Sequence, residues 1–258
     1  MLMSAIDRNS SVFLYPEIVG KRVLITGLGL GHGVDLARLF ADHGARLVLH
    51  MTETGAEADA LLEVLARNAT ELRVYAHSLV ESQAAVRFTQ QAAQAFGGLD
   101  AVINLVELTP DDVARAMLIQ DVEDLFVETL RSAWLITRVA ANRMRLTWTE
   151  GLILNVLRMP SPRDARETTF GGLMRAALAA MTRAEARQWA DQAIRINAIG
   201  PRLYDGTAPA GACLASEPEI AALALFLLSK RGRNLSGHVF DAEASHAEPQ
   251  DSQAAGAG

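Results

Sequence analysis

Short apolar runs alternate with segments of helical periodicity along most of this chain, and that alternation constrains the fold more than any other feature. The runs are rich in Val, Ile and Leu, which is typical of buried strands, and the segments between them place apolar residues on one helix face. The predicted strands are 22–26, 45–50, 72–75, 100–104, 152–156, 194–197 and 238–240. The predicted helices are 34–43, 56–67, 82–96, 122–146, 173–190 and 218–228. Strands and helices that alternate in this way form a parallel sheet covered on both faces, so we predict an α/β fold with one doubly wound sheet of seven strands.

Seven strands in one sheet use nearly the whole chain and leave no room for a second domain. Residues 20–243 are therefore predicted to form a single domain, and residues 1–19 precede it as an N-terminal extension. Residues 244–258 are rich in Ala, Gly, Gln, Ser and Glu. That composition cannot bury enough apolar surface to fold, so we expect a disordered tail.

The composition of the chain argues against several classes of function. Its formal net charge of -6 is spread without long runs of one sign, whereas a nucleic-acid-binding protein needs a clustered basic face. No CxxC or HExxH spacing occurs, so we predict no metal site. The single cysteine, Cys213, cannot form an internal disulfide, and the N-terminus has no long apolar run. We therefore expect a cytoplasmic protein that binds neither nucleic acid nor membrane.

A glycine-rich segment follows the first predicted strand and leads directly into the first helix. Residues 26–33 read TGLGLGHG, which places Gly27, Gly31 and Gly33 at the spacing TGxxxGxG. In a Rossmann-type fold, such glycines allow a tight turn, let the backbone approach a pyrophosphate and let the helix pack against the strand. The position between a strand and a helix favours a dinucleotide-binding loop.

Several segments together resemble the short-chain dehydrogenase/reductase family. Beside the glycine motif, residues 194–201 read IRINAIGP and resemble the family's IRVNAIAP strand. Residues 175–183 resemble the helix that begins at the family's catalytic lysine, and residues 100–104 resemble the strand that leads into its NNAG motif. The resemblance covers roughly residues 20–242 in the family's order. It implies a Rossmann-type sheet, an oxidoreductase ancestry and NAD or NADP as the cofactor.

The residues that this family uses for hydride transfer are missing at the matching positions. The family pairs a tyrosine acid/base with a lysine four residues later, and adds a serine and an asparagine. The matching positions hold Thr129, Arg158, Gly171 and Arg175. The chain has only two lysines and three tyrosines, and no tyrosine has a lysine four residues later. We therefore predict that the chain has no catalytic residues of the family's ordinary kind.

The positions that hold the cofactor in this family are kept only in part. Gly27, Gly31 and Gly33 match, and Asn104 stands where the family's NNAG motif begins. The glycine that ends that motif is replaced by Glu107, whose side chain would crowd the cofactor and add negative charge near its phosphates. NAD or NADP binding is therefore expected to be weak or lost. The glycines could also persist because strand-to-helix packing needs them.

Three functions are consistent with this pattern. In the first, the chain is a pseudoenzyme of the family that pairs through helices 122–146 and 173–190, either with itself or with an active relative. In the second, it is an active NAD(P)-dependent oxidoreductase whose site is rebuilt around Tyr204, His32 or Arg175. In the third, it is a nucleotide- or ligand-sensing module. We take the first as the leading hypothesis.

Overall fold

The computed structural model describes residues 15–202, 214 and 216–242, and within them the chain forms one sheet with helices on both faces. Seven parallel strands lie in the order β3-β2-β1-β4-β5-β6-β7. The strands are β1 (Arg22–Thr26), β2 (Arg46–His50), β3 (Glu71–Tyr75), β4 (Ala101–Glu107), β5 (Leu152–Arg158), β6 (Arg195–Pro201) and β7 (Val239–Ala242). The doubly wound, Rossmann-type α/β fold predicted from the sequence is confirmed.

The helices connect consecutive strands and cover both faces of the sheet. They are α1 (Val34–Asp42), α2 (Ala56–Asn68), α3 (Ser82–Ala95), α4 (Pro110–Arg115), α5 (Ile119–Leu146), α6 (Ala165–Trp189) and α7 (Glu217–Leu228). Short 3₁₀ helices occur at Pro16–Ile18, Ala190–Gln192 and Lys230–Gly232. None of the helices in the described ranges is both long enough and apolar enough to span a bilayer.

Alternate residues of β1, an inner strand of the sheet, pack into two different apolar layers. On one face, Val23 and Ile25 of β1 contact a cluster that includes side chains of α1 and α7. On the other face, Leu24 lies in a second cluster with Phe88 of α3 and Ile136 of α5. Because the side chains of a strand point to opposite faces in turn, a strand that is apolar at every position must be buried on both sides.

The predicted elements differ from the observed ones mainly at their ends. Helix α6 begins at Ala165 rather than at 173, because the carboxylate of Asp164 accepts a hydrogen bond from the Glu167 amide, 2.8 Å away, and caps the helix. Helix α4 was not predicted from periodicity, since it is too short to show any. It is started by a capping box in which the Thr109 hydroxyl and the Asp112 carboxylate each bond to the other's backbone amide.

Part of the sequence-based interpretation falls beyond the part of the chain that the structure covers. Tyr204, Cys213 and the predicted tail 244–258 lie outside the described residues. Of the predicted extension 1–19, the described portion includes Ile18, which is fully buried in the apolar cluster beside α1.

Candidate functional site

The glycine segment forms the loop between β1 and α1 at the carboxyl edge of the sheet. Strand β1 lies between β2 and β4, so the connections leave β1 and β4 toward opposite faces at this point. In open α/β sheets, ligands bind in the crevice outside the carboxyl ends of the strands where the strand order reverses. This crevice is therefore the place where a functional site is expected.

Two of the three motif glycines are required by the packing of the protein itself. Gly27 has φ +72°, and a Cβ added there would lie 2.4 Å from the carbonyl oxygen of Leu105. Gly33 has φ +78°, and its Cβ would lie 2.3 Å from Cδ1 of Leu105. Residues with side chains are strained at such angles, and neither position has space for one. These two glycines are thus explained without any ligand.

The third motif glycine has no such explanation. A Cβ added at Gly31 would meet nothing within 4 Å among the described residues, and its φ does not lie in the left-handed region. Gly31 is exposed, and its carbonyl oxygen accepts a hydrogen bond of 3.2 Å from Nη1 of Arg158. The loop is thereby tied to the end of β5.

Carboxylates of the protein occupy backbone amides at which a phosphate would be expected. The amide of Leu30 donates to Oε2 of Glu53 over 2.5 Å. The amide of Asp35, in the first turn of α1, donates to Oε1 of Glu217 over 3.0 Å. In dinucleotide-binding folds, the amides of this loop and of the first helical turn bind the pyrophosphate. Here they are satisfied within the chain.

The carboxylate of Glu53 lies at the glycine loop. After β2, an acidic residue in this fold commonly bonds to the ribose of the cofactor. Glu53 follows β2 closely, but its carboxylate turns to the glycine loop and bonds to Leu30. Glu217 was not singled out from the sequence at all, since nothing near it marks a contact with a helix that lies far away in the chain.

His32 and Glu107 face each other beside the same loop. The ring Nε2 of His32 lies 2.7 Å from the carbonyl oxygen of Gly27, and because a carbonyl only accepts, Nε2 carries the proton. The other ring nitrogen, Nδ1, lies 3.9 Å from Oε2 of Glu107. His32 is thus bonded within the loop.

The carboxylates around the loop are held in an unfavourable environment. Burial raises the pKa of Glu217, and the bonds from backbone amides and the charge of Arg158 do not reverse that rise. Burial also raises the pKa of Glu107, and the nearby charges of Asp112 and Glu53 add to the effect. A second anion, such as a diphosphate, would increase the repulsion further.

Asn104 lies beneath the loop in a buried ladder of polar side chains. The Thr26 hydroxyl donates to Oδ1 of Asn104 over 2.9 Å, and Nδ2 of Asn104 donates to Oδ1 of Asn155 over 2.8 Å. These three residues are register partners on β1, β4 and β5. The amide of Asn104 is only 1 % exposed and joins the three strands, so its role as a cofactor contact remains a prediction.

The positions that match the family's catalytic residues are not brought together. Gly171 is buried on α6, and the guanidinium of Arg175 forms an ion pair with Asp241 on β7. Arg158 instead reaches the glycine loop, and Thr129 lies half-buried on α5. These four positions do not place an acid beside a base, as proton transfer would require.

The crevice itself is small. The described residues around it enclose a cavity of about 140 Å³, lined among others by Gly33, Leu105, Leu157 and Glu217. Sites for small molecules commonly measure about 300–1,000 Å³. This enclosed cavity is therefore smaller than a typical small-molecule site and covers only the inner part of the crevice. The described part of the chain also contains no group of three His, Cys, Asp or Glu side chains placed to hold a metal ion.

Comparison with known proteins identifies the same family that the glycine loop and the fold resemble. A family model described as short chain dehydrogenase matches residues 21–214. An uncharacterized oxidoreductase of Mycobacterium tuberculosis is 31% identical over 181 residues, which is 70% of this chain and 68% of that protein. Glucose 1-dehydrogenase 2 of Bacillus subtilis is 24% identical and covers 73% of each chain.

A solved structure agrees with the sequence matches. A short chain dehydrogenase from Mycobacterium smegmatis superposes with a TM-score of 0.70 at 24% identity, covering 89% of this chain and 94% of that one. This structural similarity shows the fold. Membership of the family is shown by the family model and by the relative at 31% identity. The chain belongs to the short-chain dehydrogenase family.

Proposed function

We propose that this protein is a non-catalytic member of its family that acts as a subunit or scaffold in an oligomer. The proposal depends on one observation: the residues at the positions of the family's tyrosine and lysine cannot perform the family's acid–base chemistry. Gly171 has no side chain, and Arg175 is engaged with Asp241 on β7. A glycine offers no phenol for general acid catalysis, and a guanidinium remains protonated at neutral pH.

The state of the glycine loop supports weak or lost dinucleotide binding. The amides of Leu30 and Asp35 bond to Glu53 and Glu217, and a dinucleotide would have to displace both carboxylates. It would then bring two further negative charges beside Glu107. Displacement and repulsion both lower the affinity, so an oxidoreductase that depends on a tightly held cofactor is disfavoured.

The outer faces of α5 and α6 support assembly. The two helices are joined side by side, since Nε1 of Trp134 on α5 donates over 3.1 Å to the buried carboxylate of Glu185 on α6. Large apolar side chains remain exposed on both helices: Val127 at 48%, Trp134 at 39% and Leu173 at 47%. Exposed apolar patches on a folded surface commonly mark interfaces between proteins. The proposed interface therefore comprises residues 122–146 and 173–190.

A turnover assay tests the loss of catalysis. The purified protein is incubated with NADH or NADPH and a panel of aldehydes, ketones and sugars, and the absorbance of the reduced nicotinamide is followed. We expect no oxidation above the background without enzyme. Sustained turnover would contradict the proposal, and its abolition in Tyr204→Phe would assign the chemistry to the rebuilt site of the second hypothesis.

Sedimentation velocity tests the assembly. We expect a dimer or larger species for the wild-type protein, and a shift to monomer for Val127→Arg/Leu173→Arg. Val64→Arg is the matched control, because Val64 is an exposed apolar residue on α2, outside the proposed interface. A monomeric wild-type protein that also fails to join an active family member in native mass spectrometry would contradict the proposal.

Ligand sensing is a second candidate, and one observation favours it. A large groove is open at the opposite edge of the sheet from the glycine loop. A binding module needs such a site but no catalytic residues, so the same loss at Gly171 and Arg175 is compatible with it.

A further inference from the structure

A groove of about 960 Å³ lies at the amino edge of the sheet, on the opposite side from the glycine loop. One wall is the second half of α6, and the other is formed by residues 228–237, which connect α7 to β7. The floor is formed by residues 193–195 at the start of β6. The groove is thus independent of the site described above and of its carboxylates.

The side chains that line this groove are strongly biased toward positive charge. Its charged lining residues are the cations Lys21, Arg183, Arg187, Arg195, Lys230 and Arg233 and the anions Glu17 and Glu150. Both lysines of the chain are among them, although the chain as a whole carries a net charge of -6. The lining is therefore opposite in sign to the rest of the protein.

Several of these cations have no carboxylate partner. Within the described ranges, no carboxylate oxygen lies within 4.0 Å of the guanidinium groups of Arg183, Arg187 or Arg233. Lys21 is different, since its ammonium lies 3.6 Å from Asp100. Guanidinium groups that line one groove without carboxylate partners repel each other, and an anion bound in the groove would relieve that repulsion.

Arg195 on the floor adds a partly buried positive charge. Its Nη1 donates to the carbonyl oxygen of Gly232 over 2.9 Å and also bonds to the carbonyl of Leu227. Carbonyl groups satisfy its hydrogen bonds but do not neutralise its charge. Burial lowers the pKa of Arg195, and the nearby charge of Glu150 opposes that shift without reversing it.

The arrangement suits a compact anion with several phosphate groups. Arg183 and Arg187 lie one turn apart on α6 and project from one wall, and Arg233 belongs to the other. The guanidinium fork matches phosphate oxygens in pairs, and several such contacts require several phosphates. The volume is within the usual range for a small molecule, of about 300–1,000 Å³. A protein partner would instead use a broader and flatter surface, of about 800 Å² on each side.

We propose that this groove binds polyphosphate anions, such as a nucleoside triphosphate, through Arg183, Arg187 and Arg233 above the charged floor at Arg195. The proposal does not depend on the loss of catalysis, because it concerns the opposite edge of the sheet. Arg183 and Arg187 do lie within residues 173–190 of the proposed interface, so sedimentation velocity of the Arg183→Gln/Arg187→Gln variant accompanies its titration. It would make the amino edge the ligand-binding side of this family member.

Calorimetric titration of the full chain with inorganic tripolyphosphate tests the proposal. We expect saturable binding with a stoichiometry near one, and an affinity that falls steeply when the salt concentration is raised, because ionic contacts are screened. In Arg183→Gln/Arg187→Gln the affinity should fall by tenfold or more, since two charge-assisted contacts are lost. Arg73→Gln/Arg87→Gln is the matched control. It removes two exposed arginines outside the groove and should bind as the wild type does.

Three further ligands identify the chemical class of anion that the groove binds. ATP should bind in the same groove and compete with tripolyphosphate, whereas a polyglutamate peptide or a short oligonucleotide should not. Absence of tripolyphosphate binding, equal binding by the two double variants, or preferential binding of the peptide or oligonucleotide would each overturn the proposal. Unchanged thermal unfolding of the groove variant would show that its loss of affinity is not a loss of folding.

Discussion

The two edges of the same sheet differ in how their charged groups are balanced. At the carboxyl edge, Glu53 and Glu217 bond to the glycine-loop amides, and burial raises the pKa of Glu217 and of Glu107. At the amino edge, Asp100 bonds to Arg22, and cations without carboxylate partners line an open groove. At the edge where this fold usually binds its ligand, two loop amides thus bond to carboxylates of the chain, whereas the other edge carries an open groove lined by cations.

The comparison teaches that the glycine loop alone does not show that a ligand binds, because packing within the chain requires two of its glycines. Gly27 and Gly33 are required by contacts with Leu105 whether or not a phosphate is present.

The largest effect is expected for a side chain at Gly27. Gly27→Ala places a methyl group 2.4 Å from a backbone oxygen at φ +72°, so we expect a loss of about 2–4 kcal/mol in the free energy of unfolding. Gly31→Ala is the control and should change stability by less than about 0.5 kcal/mol, because its surroundings are open. Urea denaturation measures both. Equal losses would show that packing does not distinguish the two glycines.

A smaller effect is expected at the amino edge for Asp100→Asn. Burial raises the pKa of Asp100, but hydrogen bonds from Arg22 and the charge of Lys21 outweigh it, so the pKa lies below its ordinary value of 3.8. A carboxyl group whose pKa is lowered by folding stabilises the folded protein at pH values above its ordinary pKa. That stabilisation is lost as the pH falls through the lowered pKa of the folded state. We expect Asp100→Asn to cost about 1–3 kcal/mol at pH 7 and progressively less in acid. Denaturation at pH 7 and pH 3 checks this, and a cost that does not depend on pH would contradict it.

Removing the charge of Glu217 at the carboxyl edge should raise the free energy of unfolding at pH 7, whereas Asp100→Asn lowers it. The pKa of Glu217 is raised above its ordinary value of 4.5, so its stabilising contribution is present below that value and is lost as the pH rises through the raised pKa. Glu217→Gln keeps an oxygen that can accept from the Asp35 amide but removes the charge. We expect a gain of about 1 kcal/mol or less at pH 7 and none at pH 4. A loss at pH 7 would mean that the charge of Glu217 stabilises the loop.

The smallest effect is expected for Arg175→Lys. The ion pair with Asp241 is partly exposed, and an ammonium can replace the guanidinium as its partner. We expect a change below about 0.5 kcal/mol and no oxidation of NADH, although the lysine of the family's pattern is restored. The measurement combines thermal unfolding with the turnover assay. Appearance of turnover would show that the substitution at 175 alone had suppressed catalysis.

The sequence predicts the fold well because the pattern that encodes it is local. Strand β1 is predicted at its observed bounds, since its apolar run stops at a glycine. The early start of α6 at Ala165 was not predicted, because the cap at Asp164 comes long before the apolar stretch at 173. A cap depends on one hydrogen bond, which periodicity does not reveal.

The candidate site was predicted only where its residues are neighbours in the chain. The glycine loop was located from its own spacing. The bond from the Asp35 amide to Glu217 joins residues 182 positions apart, and no local signal marks it. The basic groove was missed for the same reason. Its cations are scattered between Lys21 and Arg233, and only the fold brings them to one edge.

A calorimetric titration with NADH and NADPH tests most directly whether the carboxyl edge has lost its cofactor. The account predicts no saturable binding of either nucleotide at that edge up to about 1 mM, because Glu53 and Glu217 already hold the loop amides. The groove variant Arg183→Gln/Arg187→Gln is titrated in parallel, so that heat from the amino edge can be subtracted. Stoichiometric binding in the micromolar range by that variant, weakened by a side chain at Gly31, would contradict the account.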